Sequence, residues 1–287
     1  MLVDFYSKPP LPEFRAKPRH MSNYDRVYGG AAVEYGAVTE TLDAYLANYD
    51  SLGFDRVVVH ASDSETTFGL KISNELVAEF CRQHGPRFIG FAGVDPHKGM
   101  TAIRELEHAI ETLGLQGLHL PCFELKLAIN DPRLYPLYAK CIELDIPVTL
   151  HCGFNFSTAT EVGYSSPVLL DQVMVHFPEL RVHVAPPGWP WVAELIGVAW
   201  RHANVHIGLA AVRAKYLAVQ GSGYELLLQY GRTILKERIL FGSAHPLVPL
   251  ATAAGDVRAL ELPEDIQRRW LGENARRFLR MPPDAGV

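Results

Sequence analysis

The feature that most constrains this chain is an alternation. Short runs rich in apolar, β-branched and aromatic residues recur between longer stretches with amphipathic helical spacing. The runs Leu2–Tyr6, Arg56–His60, Phe88–Val94, Gly117–Leu120, Pro147–His151, Arg181–Ala185, Val205–Leu209 and Ile239–Gly242 read as strands. Between them Thr39–Leu52, Ser73–His84, Met100–Leu113, Leu134–Leu144, Pro167–Phe177, Trp191–His202, Tyr224–Tyr230 and Val248–Ala259 read as helices, with Pro263–Leu279 as a last helix. Capping residues agree: Thr39 opens one helix, Asp131-Pro132 another, and Gly114 follows the third. Eight strands, each followed by a helix, predict closure into a (β/α)8 barrel. An open doubly wound sheet would want a glycine-rich phosphate turn after its first strand, and Lys8-Pro9-Pro10 stands there instead.

The 287 residues fit one barrel domain, with no repeat, linker or low-complexity tract. Pro9–Ala37 is the least regular part, mixing Pro, Gly, Tyr and Arg. It leaves the C-terminal end of the first strand, where barrel enzymes build their sites, and is a candidate lid or homodimer interface. The net charge of −5 argues against a nucleic-acid partner, which calls for a basic surface. No stretch approaches the ~20 apolar residues of a membrane span, and MLVDFYSKPP lacks the basic start and apolar run of a signal peptide. Cys81, Cys122, Cys141 and Cys152 are widely spaced with no CxxC, which predicts reduced thiols and a cytoplasmic protein.

Six segments, FIGFAGVDPHKG (88–99), LGLQGLHL (113–120), DPRLYPLYAKCIELDIPVTLHCG (131–153), GWPW (188–191), RILFGS (238–243) and LGENARRFL (271–279), occur in an order that spans nearly the whole chain. They resemble the amidohydrolase-related family that includes aminocarboxymuconate semialdehyde decarboxylase and the resorcylate decarboxylases. The resemblance implies an amidohydrolase-type barrel with a metal held at its strand tips. Five positions would carry that site, and four depart from the pattern. The His-x-His pair of the first strand is replaced by Tyr6 and Lys8, the histidine after the sixth strand falls at Pro186, and the carboxylate after the eighth falls at Ala244. Only His151, on the fifth strand, remains. Proline and alanine offer no ligand, and a catalytic zinc wants three protein ligands plus water. The expectation is therefore no metal and no other cofactor.

Residues two apart on a strand share a face, so Tyr6 and Lys8 should point together into the barrel mouth. Lys8 could supply the positive charge a metal would give or, with its pKa depressed by burial, act as a nucleophile toward a carbonyl. Tyr6 is a candidate hydrogen-bond donor or general acid. His151, titrating nearest neutrality, is the candidate proton shuttle. His60, His119 and His245 fall near the same rim as candidate substrate contacts, and together with His151 they are the set from which a displaced metal site would be built. Arg213 could clamp a carboxylate, and Trp189 could wall the pocket while Trp191 packs the rim. Cys152 should face away from His151 and pack, and Cys122 is a weaker candidate for the mouth. Asp63 and Glu65 read as loop acids, His97 as part of a structural turn, and Ser243 as a local hydrogen-bonding residue. The leading functional expectation is a metal-independent enzyme acting on a small carbonyl- or carboxylate-bearing compound, a lyase (decarboxylation or C–C cleavage) before a hydrolase. A non-catalytic binding subunit and a metallohydrolase with a displaced site stand as alternatives.

Overall fold

The computed structural model describes residues 1–16, 19–28 and 40–282. Eight parallel strands follow one another around a barrel: β1 (Leu2–Ser7), β2 (Phe54–His60), β3 (Phe88–Gly93), β4 (Leu118–Leu120), β5 (Val148–His151), β6 (Val182–Ala185), β7 (Val205–Gly208) and β8 (Ile239–Leu240). The ring closes between β1 and the end of β8. Phe5 N–H donates to Phe241 O at 2.9 Å, Ala244 N–H to Tyr6 O at 2.8 Å and Lys8 N–H to His245 O at 3.0 Å. Helices cover the barrel, because the outward strand residues Val57, Val59, Leu118, Val148 and Val182 must bury their branched side chains against something apolar. A smaller cluster, Val3, Phe5, Val58, Ile89, Phe91 and Leu240, packs with Phe278 from the C-terminal segment.

The differences from the sequence reading have local causes. The helix expected from Thr39 begins at Leu42, because Thr41 Oγ1 accepts the Ala44 N–H and caps it; Thr39 lies outside the described residues, as do 29–38. The loop after β2 holds an unforeseen antiparallel hairpin, Ser62–Ser64 with Leu70–Ile72, turned through Gly69 at φ 67°. It is anchored by the buried Asp63 carboxylate, which lies 3.0 Å from Lys71 Nζ and 2.8 Å from Lys98 Nζ. Pro263–Leu279 is not one α-helix. A π-helical turn at Arg269–Glu273 separates Glu264–Arg268 from Asn274–Phe278. Gly272 is pressed so close to the start of β1 that a Cβ there would sit 2.1 Å from Met1 O, and Trp270 is buried from the same turn. Within Pro9–Ala37, the described residues form short helices at Pro12–Arg15, Arg19–Met21 and Asn23–Tyr28.

Candidate active site

The site begins with β1, whose pairing with β2 is irregular between Asp4 and Ser7. Asp4 and Ser7 build a buried polar knot. The Asp4 carboxylate accepts from Ser243 N at 2.8 Å, Ser243 Oγ at 2.6 Å and Tyr49 OH at 2.8 Å, while Ser7 Oγ lies 2.9 Å from Tyr45 OH. Burial raises the Asp4 pKa even against these hydrogen bonds. The knot ties β1 to the turn after β8 and to the helix Leu42–Leu52, and Ser243 Oγ also accepts from His245 N at 3.0 Å within its own turn. Tyr6 and Lys8 both line the cavity at the barrel mouth. The Tyr6 ring stacks on His60 with centroids 4.5 Å apart and meets His119 edge-on at 5.9 Å.

The arc of wall from β2 to β5 is polar. His60 is buried, its ring centroid is 4.8 Å from that of His119, and neither of its nitrogens has a hydrogen-bond partner among the described residues. Burial, reinforced by neighbouring His119, His183 and Lys8, drives its pKa well below the ordinary imidazole value. His119 is held by Nδ1, 3.0 Å from Ala61 O, and burial pushes its pKa down to about 4 although that bond pulls the other way. His151 lies with Nδ1 2.9 Å from Ser165 Oγ and its ring 4.4 Å from Phe123, and burial pushes its pKa down to about 3. All three rings are thus neutral at physiological pH, a correction to the expectation that His151 titrates near neutrality. Glu124, in the short helix Cys122–Leu125 after β4, also lines the cavity. Burial raises its pKa, but His20 (Nε2 at 3.5 Å), Lys8 and His119 outweigh that and hold it below the usual value, as a carboxylate. Sequence reasoning passed over Glu124 while weighing Cys122, two residues away.

The arc from β6 to β8 is apolar. Ala185, Ala210 and Ala244 form a buried cluster against Tyr6 and Ala211, and Pro186 and Leu247 continue the wall. Ala211 and Ala244 hold φ of 64° and 56°, left-handed values that residues with a Cβ rarely adopt. Phe123, Phe154, Phe156, Trp189, Tyr24 and Met21 close the top of a cavity of about 250 Å³. The pair Phe154 and Phe156, two apart after β5, was a legible signal that the sequence reading did not use. The donors do not fit a family-type metal: Tyr6, Lys8, Pro186 and Ala244 stand at four of its positions, and no group of three His, Cys, Asp or Glu among the described residues could hold one.

Of the remaining candidates, Trp189 reaches the cavity and packs edge-on to Phe154 at 5.8 Å. Arg213 and His245 do not line it. Arg213 is committed to Asp256, with Nε 2.6 Å from Oδ2 and Nη2 3.0 Å from Oδ1. His245 Nε2 lies 2.7 Å from Glu40, which also accepts from Arg15 at 3.0 Å, so this histidine is committed to joining Glu40 to the turn after β8. Cys122 and Cys152 are fully buried, and burial pushes both thiols up, Cys122 to about 12, so neither is a nucleophile. Glu65 pairs with Lys98, and His97 Nε2 lies 2.8 Å from Leu125 O, joining its turn to the short helix after β4.

The barrel and its tip-lined cavity accord with one family. The chain belongs to the amidohydrolase family, whose model matches residues 34–281. It is 28% identical over 78 residues to 2-amino-3-carboxymuconate-6-semialdehyde decarboxylase of Dictyostelium discoideum, covering 27% of this chain and 22% of that protein. It is 26% identical over 120 residues to gamma-resorcylate decarboxylase of Rhodococcus jostii, covering 39% and 36%. These matches thus span well under half the length of either curated relative. Among solved structures, an uncharacterised TIM-barrel protein of Bordetella bronchiseptica superposes with a TM-score of 0.80 at 26% identity, covering 97% of this chain and 98% of that one. A manganese-bound 5-carboxyvanillate decarboxylase of Novosphingobium aromaticivorans shares the fold, with a TM-score of 0.67 at 13% identity over 97% and 95% of the chains.

Proposed function

We propose that the protein is an enzyme of the carboxy-lyase type that acts, without a resident metal, on a small flat compound bearing a carboxylate or carbonyl. The observation that carries this reading is the convergence of Tyr6, Lys8 and the imidazoles of His60, His119 and His151 on one cavity walled elsewhere by aromatic rings and alanines. In decarboxylation the C–C bond to the carboxylate breaks, carbon dioxide leaves, the electron pair stays on the remaining carbon, and a proton fills that position. Lys8 supplies positive charge beside the developing carbanion or oxyanion, against a wall of aromatic rings and alanines where such charge is worth more than in bulk water. Tyr6 is the proton donor in this scheme. His151, its pKa pushed down to about 3, stays neutral and orients the substrate by hydrogen bonding rather than by moving a proton. Kinship with two decarboxylases supports a lyase over a hydrolase.

An open cavity lined by proton-carrying groups supports catalysis over a purely binding role, which would be served by an inert wall. Metal independence rests on the four positions at which ligands of the family pattern are replaced. Free thiols at all four cysteines fit a reducing, cytoplasmic setting, and no helix among the described residues is long and apolar enough to cross a membrane. A homodimer through the segment after β1 completes the reading and is checked by light scattering.

The test is carbon dioxide release from a panel of small aromatic and unsaturated carboxylates by purified protein, with its metal content measured alongside. The expected result is turnover that survives EDTA and falls sharply in Lys8→Met. Activity lost to EDTA and restored by manganese or zinc would overturn the metal-free part. Tight binding with no product from any member of the panel would overturn the enzymatic part.

A further inference from the structure

His183 is fully buried on β6, and the scheme above gives it no task. It is paired across the sheet with Thr149 on β5, which is paired in turn with His119 on β4. We propose that His119 and Thr149 read the substrate as a matched acceptor and donor, and that His183 is the positioning residue that fixes Thr149 as the donor. The inference rests on the reading of the cavity as the substrate site.

Proton counting leads there. His119 Nδ1 lies 3.0 Å from Ala61 O, a carbonyl that can only accept, so Nδ1 carries the hydrogen. A neutral imidazole has one N–H, and His119 Nε2 is therefore a bare acceptor. His183 Nδ1 lies 3.2 Å from Thr149 Oγ1, and its Nε2 is buried with no partner among the described residues. Gly208 explains the empty side: a Cβ built there would fall 2.1 Å from His183 Nε2, so the β7 backbone lies against that nitrogen and leaves no room for water. A hydrogen on Nε2 would be aimed at the Gly208 α-carbon, whereas a lone pair there can accept its weak C–H contact. The hydrogen accordingly sits on His183 Nδ1 and is donated to Thr149 Oγ1. With its oxygen already accepting, the Thr149 hydroxyl keeps its own hydrogen for the cavity that Thr149 lines. Burial pushes the two rings to about 4 and about 3, so each has one N–H at neutral pH.

An acceptor and a donor on adjacent strands, whose axes run ~4.8 Å apart, suit a ligand edge with a hydroxyl or N–H next to a carbonyl or carboxylate oxygen. The hydroxyl gives its hydrogen to His119 Nε2 and the oxygen takes one from Thr149. Compounds with the hydroxyl alkylated lose the first bond and meet an unpaired lone pair.

Two measurements test this. Long-range 15N–1H correlation of the imidazoles in wild-type protein should find His119 and His183 both as Nδ1–H tautomers, with the His183 signals identified by their loss in His183→Asn. An Nε2–H form of His183 would overturn the proposal, and this readout needs neither a substrate nor a well-folded variant. Binding of salicylate and 2-methoxybenzoate is then followed by calorimetry, with salicylate favoured by roughly ten-fold. Thr149→Val and His183→Leu should weaken both ligands by a similar factor, while Thr149→Ser and His183→Asn, which keep the donors, should restore most of it. Thr149→Val binding as tightly as Thr149→Ser would also overturn the proposal. If neither benzoate binds, the functional reading fails, and the tautomers alone decide this one.

Discussion

The two halves of the cavity wall are made of opposite materials, although both hang from strand tips of one barrel. From β2 round to β5 the wall presents His60, His119, Glu124, Thr149 and His151. From β6 to β8 it presents Ala185, Pro186, Ala210, Ala211 and Ala244. Tyr6, on β1, and Lys8, just past its end, stand between them. On the apolar half, two of the family's metal positions have become residues that cannot ligate, and the space has been sealed with methyl groups. On the polar half, imidazoles are buried and neutral. A barrel can therefore exchange the chemistry of one arc of its rim without disturbing the other, because each side chain is supported by its own strand and the helix behind it.

The contrast is most exposed to acid. His119, His151 and His183 have pKa values lowered by burial to about 4, 3 and 3, against 6.5 when free. In this window the unfolded chain binds protons that the folded chain refuses, so their contribution is present above pH 6.5 and is lost as pH falls toward 3. Each ring then removes about 1.4 kcal/mol of stability per pH unit. The expected outcome, read by thermal melts between pH 7 and 4, is a steep fall in Tm. A flat profile would mean that the polar half is wetter than its burial indicates.

Next in size is the charge just past the end of β1. Lys8→Met should lower kcat/KM about 10²–10³-fold, the loss seen when one preorganised charge or donor is removed, while changing Tm little. Of similar energetic size but opposite kind, Ala210→Asp should cost about 3 kcal/mol in urea unfolding, because the apolar arc has no partner for a carboxylate. The same experiment on Thr149→Val, in the polar arc, should cost less, about 1–2 kcal/mol, for the buried His183 donor it leaves unpaired. Equal costs would erase the distinction between the halves. The smallest effect is expected at Ala244, whose φ of 56° strains a residue with a Cβ. Ala244→Gly should stabilise the fold by up to about 1 kcal/mol, set against glycine's greater freedom in the unfolded chain.

The barrel was legible because strand and helix periodicities are local, and burying both patterns in eight repeats leaves few architectures. Tyr6, Lys8 and His151 were legible for a related reason: the family pattern sets their strand positions, and a strand end at the barrel mouth sets where they lead. Spacing failed where a side chain's fate depends on a partner far away in sequence. Arg213 faces Asp256 and His245 faces Glu40, and no local pattern reveals either pair. Glu124 and the row His119–Thr149–His183 escaped notice for the same reason, since only the register of β4, β5 and β6 sets them side by side.

The order of residues thus determined the eight-unit barrel and the strand ends at which Tyr6, Lys8 and His151 stand. Tertiary structure alone decided which imidazoles are buried and which charged groups are already spent on one another. Protonation and pairing depend on the dielectric and neighbours that distant segments supply, and those exist only once the ring of strands has closed.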